Sequence, residues 1–349
     1  MKINKSEMDV NDLEVGMVAA NDIMCEGKIL IAEGIPITER AIERLKQIYF
    51  YNKIQIYTDP DENEIKNDEM ESLEQSFNEL TGDLHMIFRG MENLQISGID
   101  ELRNFALRVK SELDPTSNVV KNIVLKGSGE DTIYRHGVNV SALSLILGRW
   151  LNLDDVQLNL LVYSAILHDF GKLKINQNIL SKQGQLNKND LKAIKSHPVL
   201  GYNYISKIPF LDKSVSNGIL LHHEREDGSG YPFGLKSDKI PQFAKIIAIA
   251  DVFDAINSKR AYREKKGPFE ALQIIQKDEL GKLDFEYCKV FINHVVNFYM
   301  GESVILNDGR VCKIIQVDPN DLQTPLLLDG SEFVDLKNRK DLYVKEMII

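Results

Sequence analysis

The chain has 349 residues, 43% of them apolar and 27% charged, a globular composition with room for two or three domains and at least one sizeable core. A net charge of −10 argues against a binder of nucleic-acid polymers, and no apolar run approaches the roughly 18 residues that insert into a bilayer. Cys25, Cys288 and Cys312 are far apart and in no CxxC spacing, which excludes a disulfide framework and a zinc ribbon, and the N-terminus has no apolar signal core. A soluble cytoplasmic protein is the expectation.

In chain order, residues 1–60 alternate short strand-like runs (17–20, 28–32, 54–57) with one helix signal at 38–47, started by Thr38. A small α+β module is expected. Residues 61–115 read as acidic linker helices: between Asp61 and Asp83 nine acidic residues face Lys66 alone. Within them Met70, Leu73, Phe77, Leu80, Leu84, Ile87, Met91 and Leu94 recur at spacings of three and four, the rhythm of a coiled-coil seam. That rhythm predicts a homodimer through residues 70–94, with packing inside the chain as the alternative. A second helix is expected over residues 98–112, ending before Pro115.

Residues 116–300 read as consecutive helices (135–151, 156–170, 188–205, 212–223, 240–258, 268–277), an all-α bundle. Residues 301–349 return to short apolar or alternating runs joined by Asn307-Asp308-Gly309 and Asp329-Gly330, a small β-barrel-like module. The fold class expected is therefore mainly α, with small modules at both ends.

The bundle is organised around residues 160–172, an apolar helix that ends in His168, Asp169, Gly171 and Lys172. Apolar residues on all its sides mark a helix inside a domain, and its C-terminal dipole end favours a cation. Of seven histidines, His85 and His294 have no supporting acids and read as structural. The other five, His136, His168, His197, His222 and His223, recur about one helical hairpin apart, so successive helices can bring them to a common centre. Asp251 interrupts the apolar run Ile-Ile-Ala-Ile-Ala-Asp-Val-Phe, and a buried charge there needs a partner or a metal. Asp254, one turn further on, is placed to orient a ligand from behind.

His136, then His168-Asp169 with Phe-Gly-Lys, His197-Pro-Val-Leu-Gly, His222-His-Glu-Arg-Glu-Asp-Gly-Ser-Gly-Tyr-Pro, Asp251-Val-Phe-Asp254 and Arg260-Ala-Tyr-Arg263 resemble the HD-GYP family of the HD metal-dependent phosphohydrolase superfamily. The resemblance covers about 180 residues and implies an HD-type helical catalytic domain. It further implies hydrolysis of a cyclic dinucleotide, typically cyclic di-GMP to linear pGpG, at a centre of iron or manganese. Two metals sharing a hydroxide supply a nucleophile, neutralise the phosphate and help the leaving oxygen depart. Asp169 is the natural bridge; one metal is assigned to His136, His168, Asp169 and Asp251, the other to Asp169, His197, His222 and His223, with the division left open. Lys172, Arg260 and Arg263 are candidate phosphate contacts, and Tyr231, in its Gly-rich loop, a stacking partner for a guanine base. A non-catalytic sensor of the dinucleotide, or an HD hydrolase of another nucleotide such as a mixed cyclic dinucleotide, are the alternatives. Some members resembling this chain carry a glutamate four residues before the first histidine that can hold a third metal. Thr132 stands there, so two metals are expected.

Overall fold

The computed structural model describes residues 4–21, 23–25, 28–31, 34–48, 53–58, 62–92, 98–113, 116–128, 133–182, 184–209, 211–258, 268–278 and 280–348. Leu94, Thr132, Arg260 and Arg263 lie outside them. Two compact units divide the chain, Met1–Ser72 and Leu73–Ile349.

In the first unit β1 (Asn4–Asp9) and β2 (Val18–Ala19) flank β5 (Lys53–Thr58) in an antiparallel sheet, and β3 (Ile23–Cys25) pairs with β4 (Lys28–Ile31). Strand β5 alternates Ile54 and Ile56 toward the core, as a half-buried strand must. Helix α1 (Glu39–Ile48) starts where expected, with the Ala41 N–H donating to Thr38 Oγ1 at 3.3 Å. Its Ile42 and Leu45, three apart on one face, join Val10, Leu13, Ile23, Ile31 and Ile37 in a small apolar core. The sequence did not mark β1 or β3, whose residues show no clean alternation.

Helix α2 (Glu62–Glu92) crosses the division between the units. From Leu73 on it buries Leu73, Phe77, Leu80, Leu84, Phe88 and Met91 within this same chain, the packing inside the chain that stood as the alternative to a dimer seam. The buried stripe follows the expected positions except that Phe88 is buried in place of Ile87. The Phe88 ring meets Tyr134 at 5.7 Å and Phe170 at 5.1 Å, the Arg135 guanidinium lies 4.4 Å above Phe77, and Tyr204 Oη donates to the Met91 carbonyl.

After α3 (Gly98–Glu112) and α4 (Thr116–Lys126) come α5 (Tyr134–Trp150) and α6 (Asp155–Leu167). These two pack on each other and on α10 (Lys213–Leu221) and α11 (Gln242–Asn257). Helix α5 is buried without a break from Arg135 to Gly148, the all-round burial its apolar sequence demands. A capping box between Asp154 and Gln157 starts α6. Between α6 and α10 lie a 3-10 turn at Phe170–Lys174, α7 (Gln177–Leu180), α8 (Lys188–Ile194) and α9 (His197–Ile205). The single helix expected over 188–205 is therefore two. Pro198 has no N–H to continue the ladder but suits the first turn of a new helix, so α9 restarts there.

Helix α12 (Pro268–Gln273) runs into a π turn, and α13 (Phe285–Val295) closes the bundle. Strands β6 (Ser303–Leu306), β7 (Val311–Asp318), β8 (Asp321–Asp329), β9 (Glu332–Asp335) and β10 (Val344–Ile348) then form an antiparallel sheet in the order β10-β6-β7-β8-β9. Strands β9 and β10 are its two edges, so among the described residues the expected barrel-like module is an open five-stranded sheet. Lys121 Nζ to Glu302 at 2.5 Å and Gln276 Nε2 donating to the Pro319 carbonyl at 2.7 Å fasten it to the bundle.

Candidate metal centre

Three of the five histidines are held in the same way. His168 follows the last residue of α6, His222 follows α10, and His197 follows the end of α8 by three residues. Each Nδ1 lies 2.7 Å from the carbonyl three residues back, Ala165, Ile219 and Ile194 respectively. A carbonyl can only accept, so each Nδ1 carries the proton and each Nε2 presents a bare lone pair. Helix ends leave such carbonyls unpaired, and a ligand histidine here satisfies one while its ring orientation is fixed. Gly171 makes the convergence possible: a Cβ there would stand 2.0 Å from the His197 carbonyl oxygen, so only glycine lets the His168-Asp169 turn meet the start of α9.

The donor atoms form two groups around one carboxylate. His136, His168 and Asp251 make the first group and His197, His222 and His223 the second, with the ligand atoms of each within 4.8 Å of one another. Asp169 Oδ2 is 3.6 Å from His136 Nε2 and 3.5 Å from His168 Nε2, while its Oδ1 is 3.3 Å from His197 Nε2. The structure thus turns one oxygen of Asp169 to each group. His168 Nε2 faces His136 Nε2 at 3.3 Å, and His197 Nε2 faces His222 Nε2 at the same 3.3 Å.

Burial keeps these rings neutral. It pushes His197 down to about 4 and His223 to about 3, and lowers His168 and His222 as well. His136 is the exception: burial opposes its charge, but hydrogen bonds to Asp251 (3.1 Å) and Asp254 (2.7 Å) raise it to about 10. Burial also opposes ionisation of Asp169 and Asp251, yet Lys172 and the histidines hold Asp169 well below the usual carboxylate range, and His136 does the same for Asp251.

The set fits divalent cations on a direct test. Asp169 Oδ1 is buried with no hydrogen-bond partner, and its neighbour His197 Nε2 has no proton to give. A buried anionic oxygen against bare imidazole lone pairs is unfavourable unless a cation stands between them. Nitrogen and carboxylate donors without thiolate are the ligands of iron, manganese and similar metals.

Around these ligands the structure places residues that sequence reasoning valued differently. Lys172 Nζ is 2.5 Å from Asp169 Oδ2, so its ammonium sits beside the carboxylate. Tyr231 stacks on the His223 ring at 4.6 Å and 24°, its N–H donates to the His223 carbonyl at 3.1 Å, and Lys195 Nζ lies 5.1 Å from its ring centroid. The ring assigned to a base is thus engaged with a candidate ligand and a lysine. Asp254 does orient His136, accepting from its Nδ1.

Glu224 is buried and was overlooked. Its two oxygens accept from the Phe233 N–H at 2.7 Å and the Leu235 N–H at 2.8 Å, which pins the Tyr231 loop. A glutamate directly after the paired histidines was the available signal. His85 and His294 stand outside the centre, packed on Tyr134 at 4.6 Å and Trp150 at 4.5 Å.

Residues 119–286 match the family model described as HD domain, which bears out the resemblance read from the motifs. The chain is 31% identical over 208 residues to the cyclic di-GMP phosphodiesterase PA4108 of Pseudomonas aeruginosa, an alignment covering 60% of this chain and 50% of that protein. It is 30% identical over 203 residues to the 3'3'-cGAMP-specific phosphodiesterase 1 of Vibrio cholerae, covering 58% of this chain and 44% of that protein. It thus spans about half the length of these curated relatives. The solved structure of Bd1817, an HDG"Y"P protein from Bdellovibrio bacteriovorus, shares the fold, with a TM-score of 0.52 at 21% identity over 84% of this chain and 100% of that one.

Proposed function

We propose that this chain hydrolyses a phosphodiester bond of a cyclic dinucleotide, cyclic di-GMP to linear pGpG, with two divalent cations per subunit, iron or manganese. The observation that carries this reading is Asp169, whose two oxygens are turned to separate groups of ligand atoms. His136, His168 and Asp251 would hold one cation, His197, His222 and His223 the other, and Asp169 both. When bound, such a pair activates water at neutral pH and neutralises the phosphate.

The chain's own residues do the rest. Asp254 holds His136 by Nδ1 and so presents its Nε2 to the centre. Tyr231 backs His223, and Glu224 fixes the loop that carries Tyr231. Lys172 neutralises Asp169 and lies one turn from the ligands, where its ammonium would also serve a phosphate oxygen. Arg260 and Arg263 are proposed for the substrate phosphates on the resemblance alone. Buried cysteines such as Cys288 and Cys312 suit a reducing cytoplasm, and among the described residues no helix is long and apolar enough to cross a membrane.

A second reading, hydrolysis of the mixed dinucleotide 3'3'-cGAMP, is favoured by the identity to the Vibrio enzyme. Both are tested by loading the purified chain with Fe(II) or Mn(II), supplying each dinucleotide separately and resolving products by chromatography. Linear pGpG from cyclic di-GMP supports the first reading, and turnover of 3'3'-cGAMP alone supports the second. A protein holding two metals that leaves both substrates intact rules out hydrolysis.

A further inference from the structure

His136 differs from the other histidines in how it is held. Its Nδ1 meets no helix-end carbonyl; it meets Asp254 Oδ2 at 2.7 Å, and that carboxylate is itself held from further out. Asn139 Nδ2 donates to Asp254 Oδ1 at 2.7 Å, and Arg135 Nε donates to Asn139 Oδ1 at 3.1 Å. An arginine can only donate and a carboxylate only accept, so the Asn139 amide has one possible orientation. Arg135 in turn is gripped by α2: its Nη1 and Nη2 reach Glu74 Oε1 at 3.1 Å and Oε2 at 2.9 Å. Asn78 accepts from Nη1 at 3.1 Å and Asn122 from Nη2 at 3.0 Å, which uses all five guanidinium donors.

Asn122, Asn139 and Asp254 are 0% exposed and Arg135 6%, so water cannot replace a bond lost between Arg135 and His136, while the side chain of Glu74, at the outer end, is 27% exposed. A buried Arg–Glu pair by itself is usually only structural. This one runs without a gap to the rear nitrogen of a metal-ligand candidate.

We infer that Glu74 is a positioning residue for the His136 metal position, acting through Arg135, Asn139 and Asp254. The inference rests on the two-cation reading, and it deepens it by making the His136 position answer to the long helix α2. Fixing Arg135 fixes the amide of Asn139, which holds Oδ1 of Asp254 while the Ser128 and Ser258 hydroxyls donate to Oδ2 at 2.8 and 3.3 Å, and that carboxylate sets the plane and tautomer of the His136 ring. The second group, His197, His222 and His223, has helix-end carbonyls or Tyr231 behind it and owes nothing to Glu74.

The test is titration of the metal-free full chain with Mn(II) alone, followed by electron paramagnetic resonance, for wild type, Glu74→Gln, Asn139→Ala and the double variant. Glu79→Gln is the control, a carboxylate on the same helix paired with the surface Arg108. Each single variant should weaken one Mn(II) equivalent about 10-fold, as loss of partners behind a ligand does, and leave the other within about twofold. The double variant should bind no more weakly than Asn139→Ala, because both changes cut one line.

Equal weakening of both equivalents, an unchanged titration, or additive losses in the double variant overturns the proposal. Should Glu74→Gln fail to fold, Arg135→Lys keeps a charge beside Glu74 but loses the Nε donor to Asn139, and must show the same one-sided loss; an unchanged titration there also overturns it. No nucleotide enters the experiment. A wild type that binds two Mn(II) but leaves cyclic dinucleotides intact therefore sinks the hydrolase reading and not this one.

Discussion

Adding a single methyl group at Gly230 separates a loop that positions the centre from one that merely connects helices. A Cβ on Gly230 would stand 2.4 Å from the Arg225 nitrogen, 2.5 Å from Glu224 Cα and 2.5 Å from the His223 carbonyl oxygen. All three are backbone atoms that cannot rotate away, so Gly230→Ala must push the turn back by about 1 Å to restore ordinary contact. The Tyr231 N–H now reaches the His223 carbonyl at 3.1 Å, and such a shift stretches that bond to about 4 Å, beyond hydrogen bonding. The same shift carries the Tyr231 ring off the His223 imidazole. Overpacking of this kind costs about 1–3 kcal/mol, a fall in Tm of about 2–4 °C per kcal/mol for a unit this large. Misplacing a catalytic group by about 1 Å can cost about 100-fold in rate, so turnover should drop far more than stability. The assay pairs hydrolysis of cyclic di-GMP by metal-saturated protein with a thermal melt, and Ser229→Ala, whose exposed hydroxyl bonds only Asp227, serves as control. Wild-type turnover in a Gly230→Ala protein with a lowered Tm refutes the positioning argument.

Asp169→Asn keeps the side chain's shape and removes its charge; bound metal should fall, and turnover by at least the roughly 100-fold that even partners behind a ligand cost, as read by elemental analysis and product chromatography. His294→Ala, which removes only a ring stacked on Trp150, should change neither. Leu80→Glu with Leu84→Glu places two carboxylates where exposure is 0%, a penalty of several kcal/mol, so circular dichroism should show an unfolded or aggregated protein; a folded monomer with an unchanged melt would mean that the seam serves a second copy. Burial opposes ionisation of Glu74, but Arg135 holds its carboxyl below its ordinary value. The stabilisation it contributes is therefore complete above that value and lost as pH falls through the folded one. Glu74→Gln should melt below wild type at neutral pH, with the gap closing as the pH falls and the carboxyl takes up its proton; a gap independent of pH would contradict the pairing.

The ligand atoms were legible because buried charge is costly and helices have fixed ends. Asp251 within an apolar run, and His168-Asp169 at the stop of another, could not be paid for without a cation. The partners behind the ligands were less legible. Asn139 and Arg135 are common residues on a helix; Asn139 stands three positions after His136 and four after Arg135, and only the fold shows what its amide joins. Glu224 looked like one acid among several in a charged loop until its two backbone bonds appeared. The stripe on α2 was ambiguous because eight residues at spacings of three and four fit periods of 3.5 and 3.6 almost equally; the choice of Phe88 over Ile87 is a packing event. The break before His197 was available in Pro198 and was overridden by apolar residues on both sides.

The charges around the centre connect these observations to a diester substrate. Without metal, the carboxylates of Asp169, Asp251 and Asp254 are answered by Lys172 at 2.5 Å and by His136 with its raised affinity for a proton. These two cations occupy the places where the geometry demands charge. Divalent metals held by these residues would take the His136 Nε2 that faces Asp251 and the Asp169 oxygen that faces Lys172, and would so compete with the proton and the ammonium there. Filling the centre would shift its charge from slightly negative to positive, which suits a dinucleotide with two anionic phosphates and gives the metal-free chain less electrostatic reason to bind it. Binding of a non-hydrolysable cyclic dinucleotide should consequently require metal and weaken as salt is raised; equal affinity with and without Mn(II) would show that the phosphates are held elsewhere.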